Sequence, residues 1–369
     1  MTNALLPNGF QDRLPPQADA AARLEAAMLG AAHAYGYERA DPALAEFEDG
    51  LAARLKAGGA RDAVRFVDPV SQRTLAIRPD ITAQIGRIAA TRMGHHPRPV
   101  RLSYAGSVLK LRAAQLSPAR ELRQIGCELI GLDTVAAARE IVAVAVEALV
   151  TAGVTGISID FTLPDLVATL AAGPLPIDPA KIAMLKDRLD AKDAGAVAEI
   201  APAYLPLIEA AGRFAEAHDR LCQFDVGGAL TSRLDGLWAV AEGLAGVSLT
   251  LDPTERHGFE YQSWLGFSLF AEGALGEIGR GGSYTIVHED GSEEAAIGFS
   301  LYLDPILAAG LVEAERRRLF IPFGTDPAEA ARMRAAGWVT VAALEAGDTP
   351  EAQLCTHLLA NGEARPLGA

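Results

Sequence analysis

Leu122-Arg123-Gln124-Ile125-Gly126-Cys127-Glu128-Leu129 is the stretch on which the fold turns. Alternation puts Gln124, Gly126 and Glu128 on one face of a strand and Ile125, Cys127 and Leu129 on the other. The second face is apolar, as a core requires. The first sets an amide and a carboxylate around a glycine, which leaves room for a small ligand close to the backbone. A solvated strand face has the same pattern, so the neighbouring segments matter.

The predicted strand runs over Leu122–Leu132. Two more strands precede it, Val100–Gly106 and Ser107–Leu111, with the polar loop Arg112–Arg120 between. Further upstream, Pro15-Pro16 opens a helix over Gln17–Tyr35 that Gly36 ends. A short strand, Tyr37–Ala40, closes at Asp41-Pro42. A helix over Phe47–Ala57 stops at Gly58-Gly59. Arg65–Val67 and Leu75–Arg78 form a hairpin, and a helix covers Asp80–Met93. Downstream come a helix (Val135–Gly153), a strand (Ile157–Leu163) and a helical run from Leu166 to Leu244. Strands return at Val247–Leu251, Phe259–Phe270 and Ser283–Val287, and a helix follows Gly298-Phe299. This is an α+β layout of mostly antiparallel strands flanked by helices, with a helical insertion at about 166–245. Residues 319–369 read as a small βαβα unit, its strands Leu319–Pro322 and Trp338–Ala343, its helices Pro327–Ala336 and Pro350–Ala360. The expected division is residues 1–318 and 319–369.

Composition sets outer bounds. A chain of 369 residues, half of them hydrophobic, holds roughly two domains and a sizeable core. The 33 basic and 47 acidic residues give a net charge of −14, which opposes broad nucleic-acid binding through phosphate neutralisation. Cys127, Cys222 and Cys355 lie far apart and form no CxxC pair, so neither a disulfide framework nor a thiolate zinc site is expected. The start, MTNALLPNGFQDRLPP, resembles no signal peptide, and Ile141–Val150 is too short and too interrupted to span a bilayer. A cytoplasmic protein without metal or cofactor is the expectation.

Four constellations carry chemistry. Arg78-Pro79-Asp80-Ile81-Thr82 places a carboxylate and a hydroxyl at a helix start, where they could accept from an ammonium group; an ordinary N-cap explains them too. Gln124 and Glu128 flank Gly126. Arg280-Gly281-Gly282-Ser283-Tyr284 permits close backbone approach, as does any tight turn, and no Walker-type run exists. Lys110, Arg112, Arg120 and Arg123, with Arg101 nearby, could hold phosphate or carboxylate, or form a solvated loop.

The order of these segments resembles the catalytic domain of class II aminoacyl-tRNA synthetases, in particular histidyl-tRNA synthetase. Pro7-Asn8-Gly9-Phe10-Gln11-Asp12-Arg13-Leu14-Pro15 is similar to that family's opening. Tyr37–Pro42 resembles motif 1, whose proline lies at the dimer interface. Arg78–Thr82 resembles its Arg-Pro-Glu-Gly-Thr. Tyr104–Lys110 with Arg120–Glu128 resembles motif 2, Gly258–Phe267 the histidine-specific segment, Gly281–Tyr284 its Gly-Gly-Arg-Tyr, and Ala296–Asp304 motif 3. The likeness covers about residues 5–318.

The departures fall on the phosphate grip. Lys110 replaces an arginine that contacts the ATP α-phosphate. Ala113, His257, Ser283 and Pro305 stand where further arginines are expected. Each charged hydrogen bond contributes roughly 1.5–3 kcal/mol, so losing two or three removes on the order of 4–8 kcal/mol, about a thousand- to million-fold in rate. The amino-acid grip persists: the resemblance implies that Asp80, Thr82, Lys110, Gln124, Glu128, Tyr261 and Tyr284 bind histidine, with no catalytic residue. The C-terminal unit is about half the size of an anticodon-binding domain.

That combination is similar to the regulatory subunits of ATP phosphoribosyltransferase, whose Leu-Arg-Pro-Asp-x-Thr pattern fits Ile77–Thr82 better. The resemblance implies a non-catalytic regulatory subunit for the first step of L-histidine biosynthesis. It implies a dimer of this chain, a hetero-octamer with the short-form catalytic subunit, and feedback inhibition by L-histidine, with no tRNA and no membrane as partner. The alternative is a synthetase-like ligase that adenylates an amino acid for a non-tRNA acceptor. A tRNA-binding module is disfavoured by the charge and the short C-terminus.

Overall fold

Helix α1 (Gln17–Ala34) stops where Gly36 adopts φ 83°, a conformation that side chains disfavour. The computed structural model describes residues 5–52, 63–112, 118–256, 262–311 and 317–367. The chain divides into two compact units, residues 1–13 with 21–312 and residues 14–20 with 313–369. No helix among the described residues is long and apolar enough to cross a membrane.

After β1 (Glu38–Arg39) the larger unit forms a small three-stranded sheet. It consists of β2 (Ala45–Phe47), β3 (Val64–Val67) and β4 (Thr74–Ile77), with the short α2 (Glu48–Ala52) after β2. The expected hairpin is therefore present. The helix expected over Phe47–Ala57 starts one residue later, and its residues beyond Ala52 lie outside the described ones. Then come α3 (Thr82–Thr91), β5 (Val100–Leu109), β6 (Glu121–Ile130), α4 (Val135–Thr151) and β7 (Ile157–Thr162). The two strands expected before residue 112 are one, because the chain passes straight through Gly106, packed against the Arg78 guanidinium.

The helical insertion holds α5 (Leu166–Ala172), α6 (Pro179–Asp190), α7 (Ala194–Ile200), α8 (Pro206–Glu209), the two-residue β8 (Gly212–Arg213), α9 (Phe214–Phe224) and α10 (Thr231–Ala241). The unit closes with β9 (Ser248–Leu251), β10 (Gln262–Ala271), β11 (Gly279–Val287), β12 (Glu293–Tyr302) and α11 (Leu303–Ala308). β12 corrects the sequence reading, which expected a helix directly after Gly298-Phe299; the strand continues to Tyr302 first.

The main sheet has the order β1-β5-β6-β12-β11-β10-β7-β9-β8. Its middle six strands are antiparallel. One face carries Ile125, Cys127, Leu129, Phe161, Phe267, Ile297 and Phe299, buried in one core with α4 and the insertion. α4 starts at Thr134, whose side chain accepts from the Ala137 N–H. It buries Ile141, Val144, Ala145 and Ala148. Fully burying each such Ile or Val contributes roughly 1.5–3 kcal/mol. The opposite face is short of side chains: Gly298, Gly282 and Gly266 are successive register partners between Glu128 and Thr162.

The smaller unit corrects the βαβα reading. β13 (Arg318–Ile321), α12 (Pro327–Ala335) and β14 (Val339–Ala342) match it, but Pro350–Ala360 is no helix. Turns occupy residues 350–354, Leu354 takes φ 52°, and β15 (His357–Ala360) pairs with β16 (Glu363–Pro366). The order is β14-β13-β15-β16. Leu359 joins Leu319, Ile321 and Met333 in a core that a strand satisfies as well as a helix would.

Candidate functional site

Alternation along β6 puts Gln124 and Glu128 on the glycine-rich face, and both side chains are buried. Gln124 is used at both ends. Its Nε2 donates to Asp80 Oδ2 at 3.0 Å and to Ser300 Oγ at 2.7 Å, while its Oε1 accepts from the Ile81 N–H at 3.0 Å. That holds the start of α3 against the sheet. Asp80 Oδ1 accepts from the Thr82 N–H at 2.7 Å, so the capping and ligand readings of Asp80 both have a structural basis: one oxygen serves the turn, the other faces Gln124.

Glu128 is met by hydroxyls. Tyr104 donates to Oε1 at 3.1 Å and Tyr284 to Oε2 at 2.8 Å. Tyr104 also contacts Thr82 Oγ1 at 3.2 Å and Ser300 Oγ at 3.0 Å. Among the described residues no salt bridge reaches Glu128. Burial pushes its carboxyl up to about 8, with Asp80 adding repulsion, although the hydroxyls oppose this. Burial also raises Asp80, against the bonds from Thr82 and Gln124 and the charge of Lys110.

Asp80, Thr82, Gln124, Glu128 and Tyr284 thus form one linked network. Lys110 stands beside it, its Nζ 5.6 Å from the Tyr302 ring centroid. Burial and then Arg280 lower its pKa, and Asp80 counters. Tyr261, His257 and Ala113 lie outside the described residues. Tyr104, Ser300 and Tyr302 are additional members that sequence reasoning did not select as site residues. Tyr104 stands inside a quoted motif, which was the available signal; its three polar partners, Thr82, Glu128 and Ser300, emerge only from the fold.

The expected cationic cluster is split by the sheet. Arg101 and Arg123 point to the helical side, paired with Glu140 and Glu25. Arg120 stacks 5.1 Å from the Phe10 ring and donates to the Lys110 carbonyl. Ser283 also turns away, buried and bonded to Ser263 and the Leu265 N–H, so its replacement of an arginine removes nothing from the glycine-rich face. Arg280 does lie on that face, with its guanidinium on Glu277, Nη2 at 2.7 Å. Among the described residues no group of three His, Cys, Asp or Glu is placed to hold a metal.

A half-buried Asp80 and a buried Glu128, supported by an amide and hydroxyls beside a glycine floor, suit a small cationic ligand. The antiparallel sheet and this pocket define a protein of the histidyl-tRNA synthetase type, and the histidyl-tRNA synthetase family matches residues 9–306. The fold agrees. A Bacillus halodurans protein described as an ATP phosphoribosyltransferase regulatory subunit/histidyl-tRNA synthetase has TM-score 0.78 at 21% identity, with 96% of each chain covered. Histidyl-tRNA synthetase from Nostoc has TM-score 0.78 at 16% identity, covering 97% of this chain and 91% of that one. The ATP phosphoribosyltransferase regulatory subunit of Rhodospirillum centenum is 41% identical, over 99% of this chain and 96% of its own. That of Paramagnetospirillum magneticum is also 41% identical, over 96% of each. The chain belongs to the ATP phosphoribosyltransferase regulatory subunit family.

Proposed function

We propose that this chain is the non-catalytic regulatory subunit of ATP phosphoribosyltransferase, acting in the first step of L-histidine biosynthesis. It pairs with itself and assembles with the short-form catalytic subunit into a hetero-octamer. L-Histidine occupies the Asp80–Glu128 pocket. The α-ammonium and the imidazole N–H are donors, and Asp80, Glu128 and Thr82 are the acceptors that meet them, with Gln124 and Tyr284 fixing those acceptors in place. Lys110 and Tyr261 complete the site. The observation that carries this reading is the Asp80–Glu128 carboxylate pair, with Glu128 met among the described residues by hydroxyls and no cation: a cationic ligand would hold it ionised. Aminoacylation is lost, because Pro305 and Lys110 replace arginines that would stabilise charge on a triphosphate.

Feedback inhibition then requires histidine to bind the inhibited assembly more tightly than the active one. Reconstitution tests this. The chain is added to a short-form catalytic subunit from the same source, and turnover is followed with and without histidine. Stimulation by the chain and inhibition by histidine are expected. Turnover indifferent to the chain would contradict the regulatory role.

A further inference from the structure

We propose that Arg280, together with Lys110, takes the α-carboxylate of the ligand and so makes the pocket selective for α-amino acids over the corresponding amines. The inference rests on the histidine reading above and deepens it. In that reading the α-ammonium and the imidazole have acceptors, but the carboxylate has no partner. A carboxylate brought in beside Asp80 and Glu128 needs a cation next to it.

Two cations border the site. Arg280 on β11 is the register partner of Ser300 on β12. Ser300 Oγ accepts from Gln124 Nε2 at 2.7 Å, and the same Nε2 donates to Asp80 Oδ2 at 3.0 Å. One strand step and two hydrogen bonds therefore connect Arg280 to Asp80. Lys110 follows β5, its Nζ 5.6 Å from the ring of Tyr302, the register partner of Gln124. Burial and then the charge of Arg280 lower the Lys110 pKa while Asp80 counters, so Lys110 lies within reach of both. Yet among the described residues Lys110 forms no salt bridge, and Asp80 and Lys110 stand as opposite charges with a gap between them. An α-amino acid suits such a gap, because one carbon carries both its ammonium and its carboxylate. Glu277 clasps Arg280 at Nε and Nη2, the latter at 2.7 Å, which fixes the fork on the glycine-rich face. Five N–H donors let one guanidinium serve Glu277 and a ligand carboxylate together. A fork whose charge Glu277 already offsets in part suits a single carboxylate rather than a triphosphate.

Calorimetry on the full chain tests this by comparing L-histidine with histamine, which keeps the amine and the imidazole and lacks the carboxylate. The wild type is expected to bind histidine at least about tenfold more tightly than histamine, the low end for a charged hydrogen bond. Arg280→Gln is expected to weaken histidine about tenfold. It should leave histamine unchanged or slightly tighter, because the amine loses a repelling cation. Arg280→Lys keeps the charge and loses the fork, so its histidine affinity should fall between those of the wild type and Arg280→Gln. Thermal unfolding establishes that each variant folds. Equal affinities of the wild type for the two ligands, or tighter histamine, overturn the proposal without any variant. So does a folded Arg280→Gln that binds histidine as the wild type does, or that weakens both ligands alike. In each of these cases histidine still binds the wild type, and the regulatory reading stands. Binding of neither ligand to the wild type overturns both.

Discussion

Tyr284 and Glu128 meet across an intervening strand: the Tyr284 hydroxyl reaches Glu128 Oε2 at 2.8 Å over Gly298, the register partner of Glu128. A Cβ on Gly298 would stand 1.7 Å from that same oxygen. The glycine is therefore required by the carboxylate above it rather than by its own backbone conformation.

Gly298→Ala should push Glu128 out of its place. A loss of about 1–3 kcal/mol of stability is expected, as for overpacking a filled core. Thermal unfolding reads it, and histidine affinity should fall at least about tenfold. An alanine variant with unchanged stability and affinity would show that the carboxylate does not occupy that space.

The free protein should lose stability as pH rises from about 4.5 to about 8. In that window the folded state keeps a proton on Glu128, whose pKa is raised to about 8, while the unfolded chain has released it. The folded state binds more protons, so stability falls with pH. Glu128→Gln should flatten this slope. Urea midpoints measured across the window check both statements.

Histidine binding should release a proton near neutral pH. A cation beside Glu128 favours its ionised form, so the proton held there by burial departs when the ligand arrives. The calorimetric enthalpy should then vary with the ionisation enthalpy of the buffer, and affinity should rise between about pH 6.5 and about pH 8. A buffer-independent enthalpy would count against Glu128 as the anchor.

Gln124→Ala should cost about 1–3 kcal/mol, because Asp80, Ser300 and the Ile81 N–H each lose a bond inside the protein. Chemical denaturation measures the loss. An effect within a few tenths would mean that water replaces the amide.

No ATP–pyrophosphate exchange is expected with histidine or any other amino acid. Lys110 is a single point charge whose pKa burial lowers, and Arg280 is engaged by Glu277, which leaves a triphosphate poorly held. Clear exchange would favour a ligase.

Much of the architecture was legible because apolar alternation and glycines mark strands and their ends. Gln124, Glu128, Asp80 and Thr82 could be read as one site because motif order brought them together. β12 was not legible: Ala295–Phe299 is a short Ala- and Gly-rich run with neither period. Ser300 was missed with it. Pro350–Ala360 looked helical by propensity, but Leu358 pairs with Phe320 and the sheet decides. The side of the sheet on which Arg123 and Ser283 lie needed the register, since motif position gives the residue but not the face.

Titration of the full chain with L-histidine in a calorimeter tests the central claim most directly. Saturable binding with one site per chain is expected, weakened at least about tenfold by Asp80→Asn and by Glu128→Gln. A wild-type protein that folds and shows no histidine binding would contradict the claim that the carboxylate pair is a histidine sensor.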